Sequence, residues 1–193
     1  MYWKESLKQQ ALALKQLMES TNIDESVNSF ISLSRKVQGF HFFSGIGKNM
    51  FVAARVAATY ESLGIRSIYV DPVNSLHGSM GIFSQADLLI AISKSGETQE
   101  LIGFLLALKK QGFGNIVGVT ADRESTLSKL SVLTLYIPII QEGDHLGLAP
   151  IASTMLFSAL LDSIAVQMSS EKGYSREDFV RNHPGGNLGK TVL

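Results

Sequence analysis

The stretch Ile92–Glu100, ISKSGETQE, sets the hydroxyls of Ser93, Ser95 and Thr98 around Gly96, between the apolar runs DLLIA and LIGFLLAL. Hydroxyls gathered where a strand gives way to a helix can receive an anion. The first N–H groups of the helix lack intrahelical partners, and its dipole is positive at that end. One of the three could instead simply cap the helix. A cap needs one hydroxyl and three are present, which favours phosphate, although spacing alone leaves both readings open.

A second polar stretch is SGIGKN, Ser44–Asn49. Gly45 and Gly47 let the backbone turn tightly and approach a ligand, and Lys48 adds a positive charge near the next helix. A plain strand-to-helix turn with a solvated lysine is as good a reading of this loop alone. It is not a Walker A loop, which requires GxxxxGK[ST], and Met50 stands where a GxGxxG fingerprint needs its third glycine. Asp71, at the end of the following strand, could mimic a ribose-binding acid, so the dinucleotide reading is weak rather than eliminated.

A third stretch is IIQEGDHLGLAPIAST, residues 139–154. A partly desolvated Glu142 would have a raised pKa and could act as a general base, against the plainer reading of a solvated loop acid. His145 beside it reads as a surface residue. His77 lies in DPVNSLHG and His183 in NHPGGNLG, where PGG fixes a turn. Asp71 and His77 could meet a metal, but two candidate ligands are weak evidence. His41 opens a buried-looking strand and reads as structural.

These residues need elements to position them. Leu7, Ala11, Leu14 and Met18 repeat at helical spacing over residues 6–20, and DESVNSFISLSRKV predicts a second helix with Asp24 as N-cap. Short apolar runs then alternate with amphipathic segments. Strands are expected at 40–44, 66–70, 87–93, 115–120 and 132–138. Helices are expected at 49–63, 97–111 and 125–130, with a long one from about Pro150 to 170 and a short one at 175–182. This alternation predicts an α/β fold with a five-stranded parallel sheet flanked by helices on both faces. Ligands of such sheets bind outside the carboxyl ends of the strands, where all three polar stretches fall. No linker, repeat or low-complexity segment divides the chain. It reads as one domain over 1–193, with an N-terminal helix at 3–20, a core at about 29–175 and a tail at 183–193.

Seventeen basic and seventeen acidic residues cancel, which removes the electrostatic footprint of a nucleic-acid binder. The chain has no cysteine, so disulfides and thiolate metal sites are excluded. No signal-peptide core or membrane span is visible. The expectation is a soluble, cytoplasmic protein with no nucleic-acid or membrane partner.

SGIGKN, ISKSGETQE and LGLAPIAST, in that order on alternating strands and helices, resemble the SIS (sugar isomerase) domain of phosphosugar isomerases and phosphosugar-binding proteins. The SKSGET loop resembles that family's phosphate site. Within the family, the HG of Leu76–Gly78, the EGDHLGLAP segment and the HPGGNLG tail resemble the D-arabinose 5-phosphate isomerases. That likeness implies interconversion of D-ribulose 5-phosphate and D-arabinose 5-phosphate, feeding 3-deoxy-octulosonate and so lipopolysaccharide or capsule synthesis. Longer members continue past HPGG into a pair of CBS modules. This sequence ends at Leu193, which fits either a short form without them or a piece of a longer chain.

The resemblance carries functional positions onto Lys48, Glu100, Glu142 and His183, with His77 near the substrate. Asn49 stands where a serine is common. Asp71 stands where many members have a histidine implicated in binding inhibitory zinc. The implied reaction moves a proton between C1 and C2 through an enediol and needs no cofactor. Glu142 is then the base, and Ser93, Ser95 and Thr98 hold the phosphate. Gly45 and Gly47 let the loop close, Lys48 stabilises charge on an oxygen, and Glu100 orients Lys48 by a charge-assisted hydrogen bond. His183 opens the furanose ring or positions its hydroxyls. SIS domains associate through their helices, which implies a homotetramer whose sites are shared, with His183 and His77 entering a neighbour's site. Two rival readings are a non-catalytic phosphosugar-binding regulatory module and an isomerase of another sugar phosphate, such as a heptose or hexulose. A sensor has no need of Glu142 and His183, and the HPGG tail weighs against other sugars.

Overall fold

The computed structural model describes residues 1–139 and 141–185. Residues 186–193 of the expected tail lie outside the described residues.

All five expected strands form: β1 (His41–Gly45), β2 (Ser67–Tyr69), β3 (Leu88–Ile92), β4 (Ile116–Thr120) and β5 (Leu133–Tyr136). They build one parallel sheet in the order β2-β1-β3-β4-β5. The central strand β3, LLIAI, is buried along its whole length because both faces of the sheet are covered. Its residues alternate between two cores. Leu88, Ile90 and Ile92 join the cluster formed with α2 (Asp24–Ser34), α3 (Lys48–Ser62) and α7 (Ala152–Glu171). Leu89 and Ala91 face the other way, toward α5 (Gln99–Lys110), Phe113 and Leu127 of α6 (Thr126–Leu130).

The remaining helices are α1 (Tyr2–Glu19), which packs on α7, a short α4 (Pro72–Ser75) on α5, and α8 (Arg176–Asn182). Helix α8 begins with a capping box between Ser175 and Asp178, a signal already visible in the sequence SRED. Three expectations need correction. Asp24 is the first residue of α2 rather than its N-cap, and its carboxylate favours the helix through the dipole. Helix α7 starts at Ala152, two residues after Pro150. In α1, Ala13, Leu14 and Leu17 pack on the core, whereas Leu7 and Met18 are exposed. Among the described residues, no helix is long and apolar enough to cross a membrane.

Candidate active site

The first two polar loops leave neighbouring strands, since Gly45 at the end of β1 pairs in register with Ile92 at the end of β3. In the β1 loop, Gly47 is the N-cap of α3 with φ +61 and offers no side-chain cap. A Cβ at Gly45 would lie 2.8 Å from the carbonyl oxygen of Asn49, so only glycine lets the helix fold back this closely. Lys48 is exposed, and among the described residues it makes no ion pair. Asn49 carries a buried side-chain oxygen without a hydrogen-bond partner.

In the β3 loop the three hydroxyls divide. Ser93 is buried; its Oγ accepts the Gly96 N–H at 3.1 Å and shares a hydrogen bond of 2.9 Å with Thr98 Oγ1. It braces the loop from within. Ser95 is exposed at the tip, where its Oγ accepts the Glu97 N–H at 3.2 Å. Thr98 is the N-cap of α5, yet its side chain makes no cap bond. A helix start that spends none of its three nearby hydroxyls on capping keeps its N–H groups available to an anion. Glu97 Oε1 accepts the Thr126 N–H at 2.6 Å, tying the loop to α6. Glu100 is exposed in the first turn of α5. Among the described residues no ion pair joins it to Lys48, so the expected orienting bond is not made.

Glu142 follows β5 and is 2% exposed. Its Oε1 accepts Lys94 Nζ at 2.7 Å and Ser153 Oγ at 2.7 Å; its Oε2 accepts the N–H groups of Ile151 at 2.8 Å and Ser153 at 3.2 Å. The expectation of a raised pKa is therefore overturned. Burial alone would push the carboxyl up, but the bonds from Lys94, Ser153 and Ile151 together outweigh it and hold it below the ordinary carboxylate value. Glu142 is a charged, fixed carboxylate. Lys48 and Ile151 line the same open cleft of about 490 Å³, between α3 and the start of α7, so the β1 loop borders the segment that holds Glu142.

Of the candidate histidines, His183 lies elsewhere. His77 is exposed after α4. Asp71 Oδ1 accepts the Asn74 N–H at 2.7 Å and caps α4. Among the described residues no group of three or more His, Cys, Asp or Glu could hold a metal ion. His183 stacks on Phe179 with ring centroids 4.0 Å apart, and its Nδ1 lies 2.7 Å from the Phe179 carbonyl. Helix α8 is anchored through Tyr174, whose hydroxyl donates to the Ser62 carbonyl at the end of α3. That is the amino end of the sheet. The 20-residue α7 separates it from Glu142 by about 30 Å. The chain therefore gathers the β1, β3 and β5 loops and leaves His183 at the far end. Sequence reasoning missed Lys94 and Ser153. Lys94 is the one cation inside ISKSGETQE, a usable signal; Ser153 lay unremarked within LGLAPIAST.

Comparison with known proteins agrees with this architecture. The SIS domain model matches residues 39–167. The arabinose 5-phosphate isomerase KpsF of Escherichia coli O6:H1 is 34% identical over 98% of this chain and 58% of its own length. The arabinose 5-phosphate isomerase KdsD of Yersinia pestis is 36% identical over 77% of this chain and 45% of its own length. The chain thus spans about half the length of these curated relatives. The solved structure of E. coli CFT073 c3406 in complex with arabinose 5-phosphate superposes with a TM-score of 0.89 at 32% identity, covering 94% of this chain and 95% of that one.

Proposed function

The chain belongs to the SIS domain family, and from that premise we propose that it interconverts D-ribulose 5-phosphate and D-arabinose 5-phosphate. The observation that carries this reading is the bond between Lys94 and Glu142. It joins an anion-ready loop to a buried carboxylate at one end of the sheet, and a binding module has no use for the second. The names of the curated relatives support the choice of substrate.

In the proposed reaction the phosphate sits on the α5 N-terminus with Ser95 and Thr98, in a loop braced by Ser93. Glu142 takes the proton from the carbon beside the carbonyl. The C–H electron pair becomes the C1–C2 double bond of the enediol, and the carbonyl oxygen gains a proton. A proton then returns to C2 while the hydroxyl on C1 gives one up to become the aldehyde, which completes the isomerisation. Lys48 and the Gly45–Gly47 backbone stabilise the oxygen that gains charge. Asn49, with its unpartnered oxygen, positions a sugar hydroxyl, and Glu100 remains a candidate at the site's rim.

His183 cannot serve the site of its own chain from the far end of the sheet. We assign it, with His77, to the site of a neighbouring copy in a homotetramer. Exposed apolar residues on α1, Tyr2, Trp3 and Leu7 among them, support such an assembly. The product fits a cytoplasmic route to 3-deoxy-octulosonate. NMR of the protein incubated with D-ribulose 5-phosphate tests the reading: aldose signals of D-arabinose 5-phosphate are expected, and their absence with an intact, phosphate-binding protein would leave a sensor.

A further inference from the structure

We infer that Lys94 is a phosphate-operated latch on Glu142: its ammonium occupies the carboxylate in the free protein, and a phosphate seated at the Ser93–Thr98 loop draws it away. The inference rests on the proposed isomerase reading, with Glu142 as base.

A base must offer a lone pair to the C–H it attacks. Glu142 accepts four donors and has none to spare. Two of them are backbone N–H groups at the start of α7, fixed by the helix. A third, the Ser153 hydroxyl, is buried with the carboxylate. Lys94 is different: its side chain is 40% exposed, against 1% for Glu142. Its flexible four-carbon stem can swing a point charge between partners. Its backbone belongs to the hydroxyl loop itself, between Ser93 and Ser95. Of the four donors, Lys94 is therefore the one that can leave, and it is tethered where the phosphate would arrive.

A sugar phosphate brings up to about two negative charges at neutral pH, against one on the carboxylate, and it binds in a more open place. The ammonium gains by moving toward it. Once it has moved, the burial that favours the protonated acid meets less opposition, and Glu142 becomes a stronger base with a free lone pair. The groups packed around the carboxylate do not offset this change. Helix α1 brings Ser6 and Gln10 up to Gly143, and α7 brings Ile151 and Ser153, all uncharged. Asp144, on the same loop, is occupied by the N–H groups of Leu146 and Ala149. The arrangement makes the base answer to the substrate's phosphate, so that a sugar without one leaves the latch shut.

The test compares pH profiles of the full chain with its Lys94→Met and Lys94→Arg variants, using D-ribulose 5-phosphate. The acid limb of kcat/KM reports the base in the free protein, and that of kcat reports it in the complex. In the parent the kcat limb should lie higher, by about one pH unit, the size of a modest charge-assisted bond. In Lys94→Met the kcat/KM limb should rise to meet it, and KM should rise roughly tenfold or more. Lys94→Arg, which can still pair with a carboxylate, should keep a separation. The substrate's own phosphate, which titrates near pH 6, enters kcat/KM but not kcat, so its pKa is measured on the free substrate and removed from each protein's kcat/KM profile. Coincident limbs in the parent, or an undiminished separation in Lys94→Met, would overturn the latch. So would loss of all turnover in Lys94→Met at every substrate concentration, which would make Lys94 part of the chemistry itself. Glu142→Gln separates the two levels: near-parent turnover there overturns the base assignment and the latch together, whereas the other failures leave the base standing.

Discussion

Two titratable side chains are buried at opposite ends of the sheet, and their surroundings differ. Glu142, at the carboxyl end, is 2% exposed and is met by a lysine, a hydroxyl and two backbone N–H groups. His41, at the amino end, is 4% exposed. Its Nδ1 lies 3.4 Å from the Arg66 carbonyl, and its Nε2 has no partner. Burial pushes the imidazole down to about 4, an effect only partly offset by the Arg66 carbonyl, so His41 is neutral at pH 7. The fold thus surrounds the Glu142 carboxylate with donors and leaves the His41 ring uncharged with a spare nitrogen. A buried charge with four matched donors marks a position built for chemistry, whereas a buried neutral ring with a spare nitrogen is tolerated as packing.

The sharpest way to break this contrast is Glu142→Gln. It keeps size but removes basicity, and its amide nitrogen cannot accept the bonds that one carboxylate oxygen accepts, so kcat should fall by roughly 10²–10⁴-fold, while calorimetry shows substrate still binding. Retained turnover would make Glu142 as structural as His41.

The next largest effect concerns His183, which the contrast places at the wrong end of its own chain. His183→Ala and Lys48→Ala should each be nearly inactive alone. Mixed under subunit-exchanging conditions they should recover part of the activity, because some sites then receive both intact residues. Exchange without recovery, or an active monomer in sedimentation, would remove the shared site.

Ser95→Ala should weaken binding of the sugar phosphate by about 1.5–3 kcal/mol, the loss of one hydrogen bond to a charged group, with the fold unchanged. Unaltered affinity in calorimetry would reduce the loop to a bracing turn.

The smallest effect is on stability. The folded-state pKa of His41 lies below its unfolded value of 6.5. The unfolded chain therefore binds a proton first, and stability is full above pH 6.5 and declines as pH falls toward about 4. The slope should be on the order of 1 kcal/mol per pH unit in denaturant titrations, and His41→Phe should flatten it. Glu142, also depressed, contributes stability above its ordinary value of 4.5 that is lost as pH falls below it. Glu142→Gln should leave the upper window untouched.

Strands and most helix ends were legible because they are local: LLIAI is apolar on both faces, SRED carries its own cap, and the glycines of SGIGKN permit one kind of turn. The hydroxyl loop was legible for the same reason. The environment of Glu142 was not, because its donors come from the start of the next helix and from a loop beyond the neighbouring strand. A lone glutamate in a glycine-rich segment reads as raised by burial until Lys94 and Ser153 are seen to meet it. The bond expected between Glu100 and Lys48 failed similarly, since it joined two loops whose side chains the sequence could not orient. Helix α4 goes beyond the sequence reading: Asp71, a candidate ligand there, spends its carboxylate on capping.

Proton transfer through Glu142 at the carboxyl end of the sheet is tested most directly by running the isomerisation of D-ribulose 5-phosphate in deuterated water and locating deuterium in the product by NMR. Solvent deuterium at C2 of D-arabinose 5-phosphate, appearing with the parent and not with Glu142→Gln, is the predicted result. Product formed and labelled equally by both proteins would place the base elsewhere and contradict the account, whereas unlabelled product from the parent would mean that the buried acid returns the same proton before it exchanges with solvent.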